Sequence, residues 1–174
     1  TRSPRNDIAH GFAEIDIQDA SALFEVPLGE DWSFALSGRR SYVDVVLDAV
    51  VPEDALGFRV APYYYDYQSW LTYRGFEDHL FELFIYGSRD ELRVLFDEPQ
   101  GSSDFQLTSA SQETEFHRGQ VRWEWRPNQQ VENIFMGSFG LIRTGFSAGG
   151  FGAGTDLWTS NIRNDLRLKL SEDI

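Results

Sequence analysis

Leu157-Trp158-Thr159-Ser160-Asn161-Ile162-Arg163-Asn164-Asp165-Leu166-Arg167-Leu168-Lys169-Leu170 alternates with a period of two. Trp158, Ile162, Leu166, Leu168 and Leu170 fall on one side, and Thr159, Asn161, Arg163, Asp165, Arg167 and Lys169 on the other. Successive side chains of an extended strand point to opposite faces, so this stretch reads as a strand with one apolar and one charged face. Charges of alternating sign along one face suit a wet interior better than a dry soluble core. Trp158 is then expected to face lipid, and Arg163, Asp165 and Arg167 a lumen.

The same period recurs upstream. In 116–125, Arg118, Gln120, Arg122 and Glu124 oppose Gly119, Val121, Trp123 and Trp125. In 32–38, Trp32, Phe34, Leu36 and Gly38 alternate with Ser33, Ala35 and Ser37, and Arg39 follows on the polar side. These patterns place Trp32, Phe34, Leu36, Trp123 and Trp125 against lipid, and Arg39, Arg118, Arg122 and Glu124 toward the lumen. In 61–73, Tyr63, Tyr65, Tyr67, Leu71 and Tyr73 share a face opposite Tyr64, Asp66, Gln68, Trp70 and Thr72. Tyr63, Tyr65 and Tyr67 fit an interfacial aromatic girdle, where the ring is buried and the hydroxyl stays wet. A cross-strand aromatic cluster in a soluble sheet would leave the same pattern.

Two further segments are less polarised. In 79–88, Phe81, Leu83 and Ile85 are opposed by the nearly as apolar Leu80, Phe84 and Tyr86. In 131–144 the pattern sets Ile134, Met136 and Ile142 against Asn133 and Arg143, with Phe135, Phe139 and Leu141 blurring the contrast. Segments 11–17 and 20–28 read as two strands around a tight Gln18-Asp19 connection, or as one long bent strand. Counted as two, they bring the total to about eight, enough to close the smallest barrels and also a plausible slice of a larger one.

The connectors have a rhythm. Short polar turns are expected at Gly29-Glu30-Asp31, Arg74-Gly75-Phe76-Glu77-Asp78 and Arg126-Pro127-Asn128-Gln129-Gln130, with a similar Ser171-Glu172-Asp173 near the end. Long connectors are expected at roughly 45–59, 90–112 and 145–156. Tight turns at one end and long loops at the other are the layout of an outer-membrane barrel wall. Strongly polar residues interrupt every apolar run, so no stretch reaches the ~18 apolar residues of a spanning helix; a barrel strand needs only ~9–11 residues and one apolar face.

Composition narrows the function classes. The chain has 174 residues and a formal net charge of -13, which argues against a nucleic-acid partner, whose phosphates call for a basic face. The absence of Cys removes disulfides, thiolate zinc sites and cysteine nucleophiles together. His10, His79 and His117 are far apart, and none has a second His or a carboxylate at metal-ligand spacing. Acidic groups at Asp44-Asp48-Glu53-Asp54, and at Asp90-Glu91 with Asp97-Glu98, lack the ligand spacing of a calcium loop and read as solvated charge. Gly149-Gly150-Phe151-Gly152-Ala153-Gly154-Thr155 lacks the Lys of a phosphate-binding loop and precedes a strand pattern, so it reads as a surface loop. No metal, cofactor or catalytic constellation is expected, and the chain is not expected to be an enzyme. The start, Thr1-Arg2-Ser3-Pro4-Arg5-Asn6-Asp7, has no signal-peptide pattern, as expected if processing removed one or if the chain begins inside a larger protein.

One segment breaks simple alternation. In Gly38-Arg39-Arg40-Ser41-Tyr42-Val43-Asp44, Arg39 and Ser41 fall in the lumen and Arg40 on the lipid side, where a midplane Arg costs about 2–4 kcal/mol and an interfacial one about 0–1. Arg40 is therefore expected at the membrane edge, snorkelling, or after a bulge. This segment, together with Gly11-Phe12-Ala13-Glu14-Ile15-Asp16-Ile17, Asp19-Ala20-Ser21-Ala22-Leu23-Phe24-Glu25, the Pro-Leu-Gly-Glu-Asp turn and Tyr64-Tyr65-Asp66-Tyr67, resembles the start of the barrel in TonB-dependent outer-membrane receptors, most closely the subgroup with an Arg-Arg-Ser-Tyr strand. The match covers about the first half of the chain.

The resemblance implies an all-β antiparallel up-and-down meander forming part of a transmembrane barrel of about 22 strands, in the outer membrane of a Gram-negative bacterium. It implies an intact receptor that imports a scarce nutrient such as an iron chelate, cobalamin or a glycan. Its partners would be outer-membrane lipid, the remainder of the barrel, a plug, and TonB through the parent receptor. The chain shows no plug and no TonB-contacting segment, so residues 1–174 would be a section of barrel wall, and no ligand-binding residue carries over. The lumen charges are expected to pair across strands or with the plug. Two other readings stay open: a soluble all-β ligand-binding module, lipocalin-like barrel or sandwich, and a small self-contained eight-stranded outer-membrane barrel.

Overall fold

The computed structural model describes residues 7–43, 45–46, 58–102 and 105–170. Its elements are eight strands: β1 (His10–Ile15), β2 (Asp19–Leu28), β3 (Trp32–Ser41), β4 (Phe58–Tyr73), β5 (His79–Ser102), β6 (Phe105–Asn128), β7 (Val131–Ala148) and β8 (Phe151–Leu168). They form one sheet in sequence order, each antiparallel to the next. The chain is thus an all-β up-and-down meander. Among the described residues no ladder joins β8 back to β1, so the sheet is open with two free edges.

The tight turns at 29–31 and 74–78 lie where the sequence placed them. The third is shorter than expected: β6 runs to Asn128, and only Gln129-Gln130 turn. Asn128 Oδ1 accepts the backbone N–H of Gln130 at 2.9 Å and of Val131 at 3.0 Å, a side-chain mimic of a backbone turn. Backbone hydrogen bonds stitch this end together: Arg74 N donates to Asp31 O, Arg126 N to Asp78 O and Lys169 N to Gln130 O, each at 2.8 Å. At the other end, Asp16 Oδ1 accepts the N–H of Asp19 and Gln18 in the β1–β2 turn. These two donors, Asp19 foremost, hold the Asp16 carboxyl below the usual carboxylate range.

Two of the expected long connectors are strand instead. β5 and β6 are 24 residues each and run through 90–112, with only 103–104 between them. β7 and β8, 18 residues each, meet at Gly149-Gly150, whose φ of 54° and 85° favour glycine. Gly152 and Gly154 of the supposed loop lie within β8, opposite Ser147 and Gly145. A ladder is made by backbone groups, so polar side chains do not interrupt it, and apolar patterning alone underestimates strand length. Most of the connector at 45–59, the acidic group Asp44, Asp48, Glu53 and Asp54, and the 171–173 turn lie outside the described residues, and the side chains of Asp97 and Glu98 are likewise not described.

The register sorts the side chains onto two faces. Phe24, Leu36, Ser69, Ile85, Gly119, Phe139 and Ser160 are successive partners across the sheet on one face, with Trp32, Leu71, Leu83, Val121 and Trp158 among their neighbours. The other face carries Glu25, Ser33, Thr72, Glu82 and Glu124. In β7 the faces are the reverse of the sequence reading: Phe135, Phe139 and Leu141 join the apolar face, whereas Ile134, Met136 and Ile142 lie opposite Glu124, Arg122 and Phe116 on the charged one. A strand has only one phase relative to its neighbours, and the strongly polarised β6 and β8 impose theirs. Arg40 follows simple alternation with no bulge: it lies opposite Tyr65 at the far end of the apolar face, its guanidinium carbon 5.5 Å from the Tyr63 ring centre.

Burial is inverted relative to a soluble sheet. Among the described residues Leu141, 9% exposed, is the one buried hydrophobic, while Ser33, Ser41, Thr72, Glu25, Glu82 and Glu124 are buried. Large apolar side chains such as Ile162, 80% exposed, stand open.

At Gly87 of β5, neighbours on β4 and β6 leave no room for a side chain. A Cβ there would lie 2.6 Å from both His117 Nδ1 and the Phe116 carbonyl oxygen and 3.0 Å from Tyr67 Cε1, whereas one on Gly119 would meet nothing within 4 Å. Gly87→Ala is expected to cost about 1–3 kcal/mol and Gly119→Ala close to nothing; denaturant unfolding of the two variants side by side measures the difference.

Candidate functional site

Glu82 of β5 and Arg122 of β6 are cross-strand partners, and a period of two puts Glu124 on the same side as Arg122. Arg122 Nη1 donates to Glu82 at 2.7 Å and its Nη2 to Glu124. Arg126 contacts Glu124 and, on β7, Glu132, each at 2.5 Å. Arg167 of β8 completes the series by donating to Glu132 at 2.8 Å. Six side chains of alternating sign thus form a ladder across four strands, next to the short turns. Glu82 and Glu124 are each 7% exposed, so their charges depend on these guanidinium partners.

A second cluster lies farther along the same face. Arg39 bridges to Asp66 through Nε at 2.8 Å and Nη2 at 2.7 Å, and approaches Asp19 at 4.0 Å. Tyr64 donates its hydroxyl to Asp19 at 2.5 Å, and its ring lies 5.2 Å from the Arg39 guanidinium carbon. Arg118 reaches Thr159 of β8 at 3.4 Å, while Arg163 pairs with Asp165 on its own strand at 2.8 Å. A recess of about 620 Å³ is lined by Glu82, Arg122, Glu124 and Arg126 of the ladder together with Trp70, Leu80, Phe84, Tyr86 and Gln120. Trp70 packs at a tilt against Phe84, ring centres 4.8 Å apart, and its buried Nε1 has no hydrogen-bond partner among the described residues.

The opposite face is banded. At the short-turn end Trp32 packs on Tyr73 at 4.4 Å, Phe76 meets Tyr73 edge-on at 5.4 Å, and Trp123 Nε1 donates to His79 Nδ1 at 2.9 Å, with Trp125 beside them. Leu71, Leu83, Val121 and Phe135 follow, and line a groove of about 750 Å³ with the aromatic side chains. Beyond them the face becomes polar: Tyr67 bonds His117 Nδ1 at 2.8 Å, His117 Nε2 bonds Glu115 at 2.6 Å, and Arg89 contacts Glu91 and Glu113 at 3.2 and 3.1 Å. Arg143 pairs there with Asp156 at 3.3 Å.

The residues singled out from the sequence fall on two opposite faces. Arg39, Arg118, Arg122, Glu124, Arg163, Asp165 and Arg167 share the charged one. Trp32, Phe34, Leu36, Tyr63, Tyr65, Tyr67, Trp123, Trp125 and Trp158 share the apolar one. The charged set is not one site, however, because Arg39 belongs to a cluster separate from the Arg122 ladder. Glu82, Arg126 and Glu132 had no signal of their own in the sequence: Glu82 sits in the poorly polarised 79–88 stretch, and Arg126 reads as a turn residue. Among the described residues no group of three or more His, Asp or Glu is arranged to hold a metal ion. No protein-family model matches the chain, and neither do any of the curated proteins or solved structures compared with it.

Removing the shared cation takes from Glu82 its cross-strand guanidinium and leaves Glu124 with Arg126 alone. Arg122→Leu is expected to destabilise the sheet by about 1–3 kcal/mol, the cost of weakening the pairing of two nearly buried carboxylates. Arg163→Leu, which removes a 65%-exposed side chain paired only along its own strand, should leave the unfolding midpoint unchanged. Equal midpoints for the two variants in denaturant would contradict this ranking.

Proposed function

We propose that the chain is a section of the wall of an outer-membrane β-barrel, of the TonB-dependent receptor type that its Arg-Arg-Ser-Tyr strand resembles, and that the intact receptor imports a scarce nutrient across the outer membrane. The inverted burial carries this reading: the buried polar side chains, Glu25, Ser33, Ser41, Thr72, Glu82 and Glu124, all lie on the charged face, whereas large apolar side chains of the other face stand open. In water that arrangement forfeits the main driving force of folding. Against lipid it is the stable one, because the apolar face is solvated by acyl chains and the ladder of Glu82, Arg122, Glu124, Arg126, Glu132 and Arg167 lines a wet lumen.

The dimensions support it. The aromatic rows are Trp125 at one end and Tyr65 at the other, which lies level with Glu115 through Arg89. Along β6 they are ten residues or about 34 Å of strand apart, which at the ~45° tilt of barrel strands spans about 24 Å, with the polar His117 and Glu115 at the second row. Barrel walls carry an apolar band about 25 Å tall, bounded by aromatic girdles. Trp32, Tyr73, Trp123 and Trp125 form one boundary, and Tyr63, Tyr65 and Tyr67 the other. β5 and β6, far longer than a span requires, extend the wall beyond the second boundary, where Arg89, Glu91, Glu113 and Arg143 replace apolar residues.

The free edges support it too. β8 is an 18-residue edge without Pro or Lys, and its ladder to β7 has no bulge. Soluble sheets blunt such edges to avoid pairing with other chains; a larger barrel pairs them with further wall strands. The wall's partners in this reading are outer-membrane lipid, the remaining barrel strands, the plug, and TonB through the parent receptor. The wall itself performs no chemistry.

Vesicle flotation of the expressed chain, read with far-ultraviolet circular dichroism, tests the proposal. Strand signal is expected only in detergent or lipid, with the protein floating with the vesicles. A monodisperse, folded monomer without detergent would overturn it in favour of a soluble all-β module.

A further inference from the structure

We propose that the apolar groove at the short-turn end binds one phospholipid with a zwitterionic, ammonium-bearing headgroup, its acyl chain over Leu71 and Leu83 and its ammonium against the acidic turns. This rests on the membrane reading above and adds to it a headgroup preference at one place on the wall. The groove is lined mainly by Trp32, Leu71, Tyr73, Phe81, Leu83 and Trp123, with Glu82 and Arg122 also at its wall, and has room for a stretch of acyl chain.

Its mouth is predominantly acidic. The β2–β3 turn presents Glu30 and Asp31, and the β4–β5 turn Glu77 and Asp78; all four are exposed, and none is ion-paired among the described residues. Arg74 is the one cation in the two turns, and its Nη1 donates to Ser33 Oγ at 3.1 Å, on the opposite face. The four carboxylates at the mouth outnumber this one cation, and their net acidic field favours a headgroup ending in an ammonium over one with net negative charge.

The walls suit the same group. Phe76, exposed and edge-to-face with Tyr73 at 5.4 Å, offers a ring that attracts an ammonium once it is partly desolvated. A Cβ on Gly75 would collide with both Tyr73 Oη and Asp31 Oδ2, so the bare backbone there lets a hydroxyl and a carboxylate converge at the mouth. The far end of the apolar face has no such imbalance, because Arg89 pairs with Glu91 and Glu113, and Arg143 with Asp156.

The test incubates the purified full chain in detergent with equimolar dioleoyl phosphatidylethanolamine and dioleoyl phosphatidylglycerol and counts retained lipid by native mass spectrometry. One retained phosphatidylethanolamine is expected, favoured about fivefold over phosphatidylglycerol, the scale set by one elementary charge close to a charged surface. The triple variant Asp31→Asn, Glu77→Gln, Asp78→Asn should retain the two lipids equally. If the triple variant does not fold, Glu77→Gln alone, on an exposed turn side chain, should lower the preference about twofold. Equal retention by the unaltered chain, or a preference for phosphatidylglycerol, overturns the lipid site and leaves the wall reading standing. A chain that takes up neither lipid and is monodisperse without detergent overturns both.

Discussion

The continuous antiparallel ladder is the constraint on which the rest of this structure depends. Each strand from β2 to β8 takes its phase from its neighbour, and because side chains alternate with a period of two, a slip of one residue anywhere would turn that strand's apolar side chains onto the charged face. Leu36 opposite Ser69, Ser69 opposite Ile85 and Ile85 opposite Gly119 are links in one unbroken row. The ladder also meets the hydrogen-bonding demand of the backbone internally, strand by strand, except at the edges of β1 and β8.

Once the phase is fixed, the two faces solve different problems. On one, charges are close enough to water-poor surroundings that they need partners, and the strands supply them in alternation: Glu82 to Arg122, Glu124 to Arg126, Glu132 to Arg167. Such pairs offset the cost of burying charge more than they add stability, so their main effect is to disfavour any register in which a carboxylate is left alone. On the other face the apolar side chains bury little against one another, and their stabilisation must come from whatever medium covers them. Charged pairs at the far end and unpaired acids at the short-turn end give that face a chemical top and bottom.

Legibility in the sequence followed the strength of local alternation. β3, β6 and β8 have sharply polarised faces, and reading them with a period of two assigned Trp32, Arg122, Trp123 and Arg163 to the faces they occupy. β7 did not have that contrast: Ile134 and Phe135 are equally apolar neighbours, and only pairing with β6 and β8 decided between them. The polar stretches around Asp90, Thr114 and Gly150 looked like loops because hydropathy reports side-chain burial, whereas a strand is held by its backbone.

By itself, the sequence determined the class, the meander and the opposition of faces, because these rest on alternation within single strands and on turn residues a few positions apart. The tertiary structure decided which charges meet. Arg122 and Glu82 are forty positions apart, Trp123 and His79 forty-four, and their contact depends on the register summed along two 24-residue strands, which no local pattern encodes. It also decided that, among the described residues, β1 and β8 do not pair, since closure depends on whether they find each other across the whole width of the sheet.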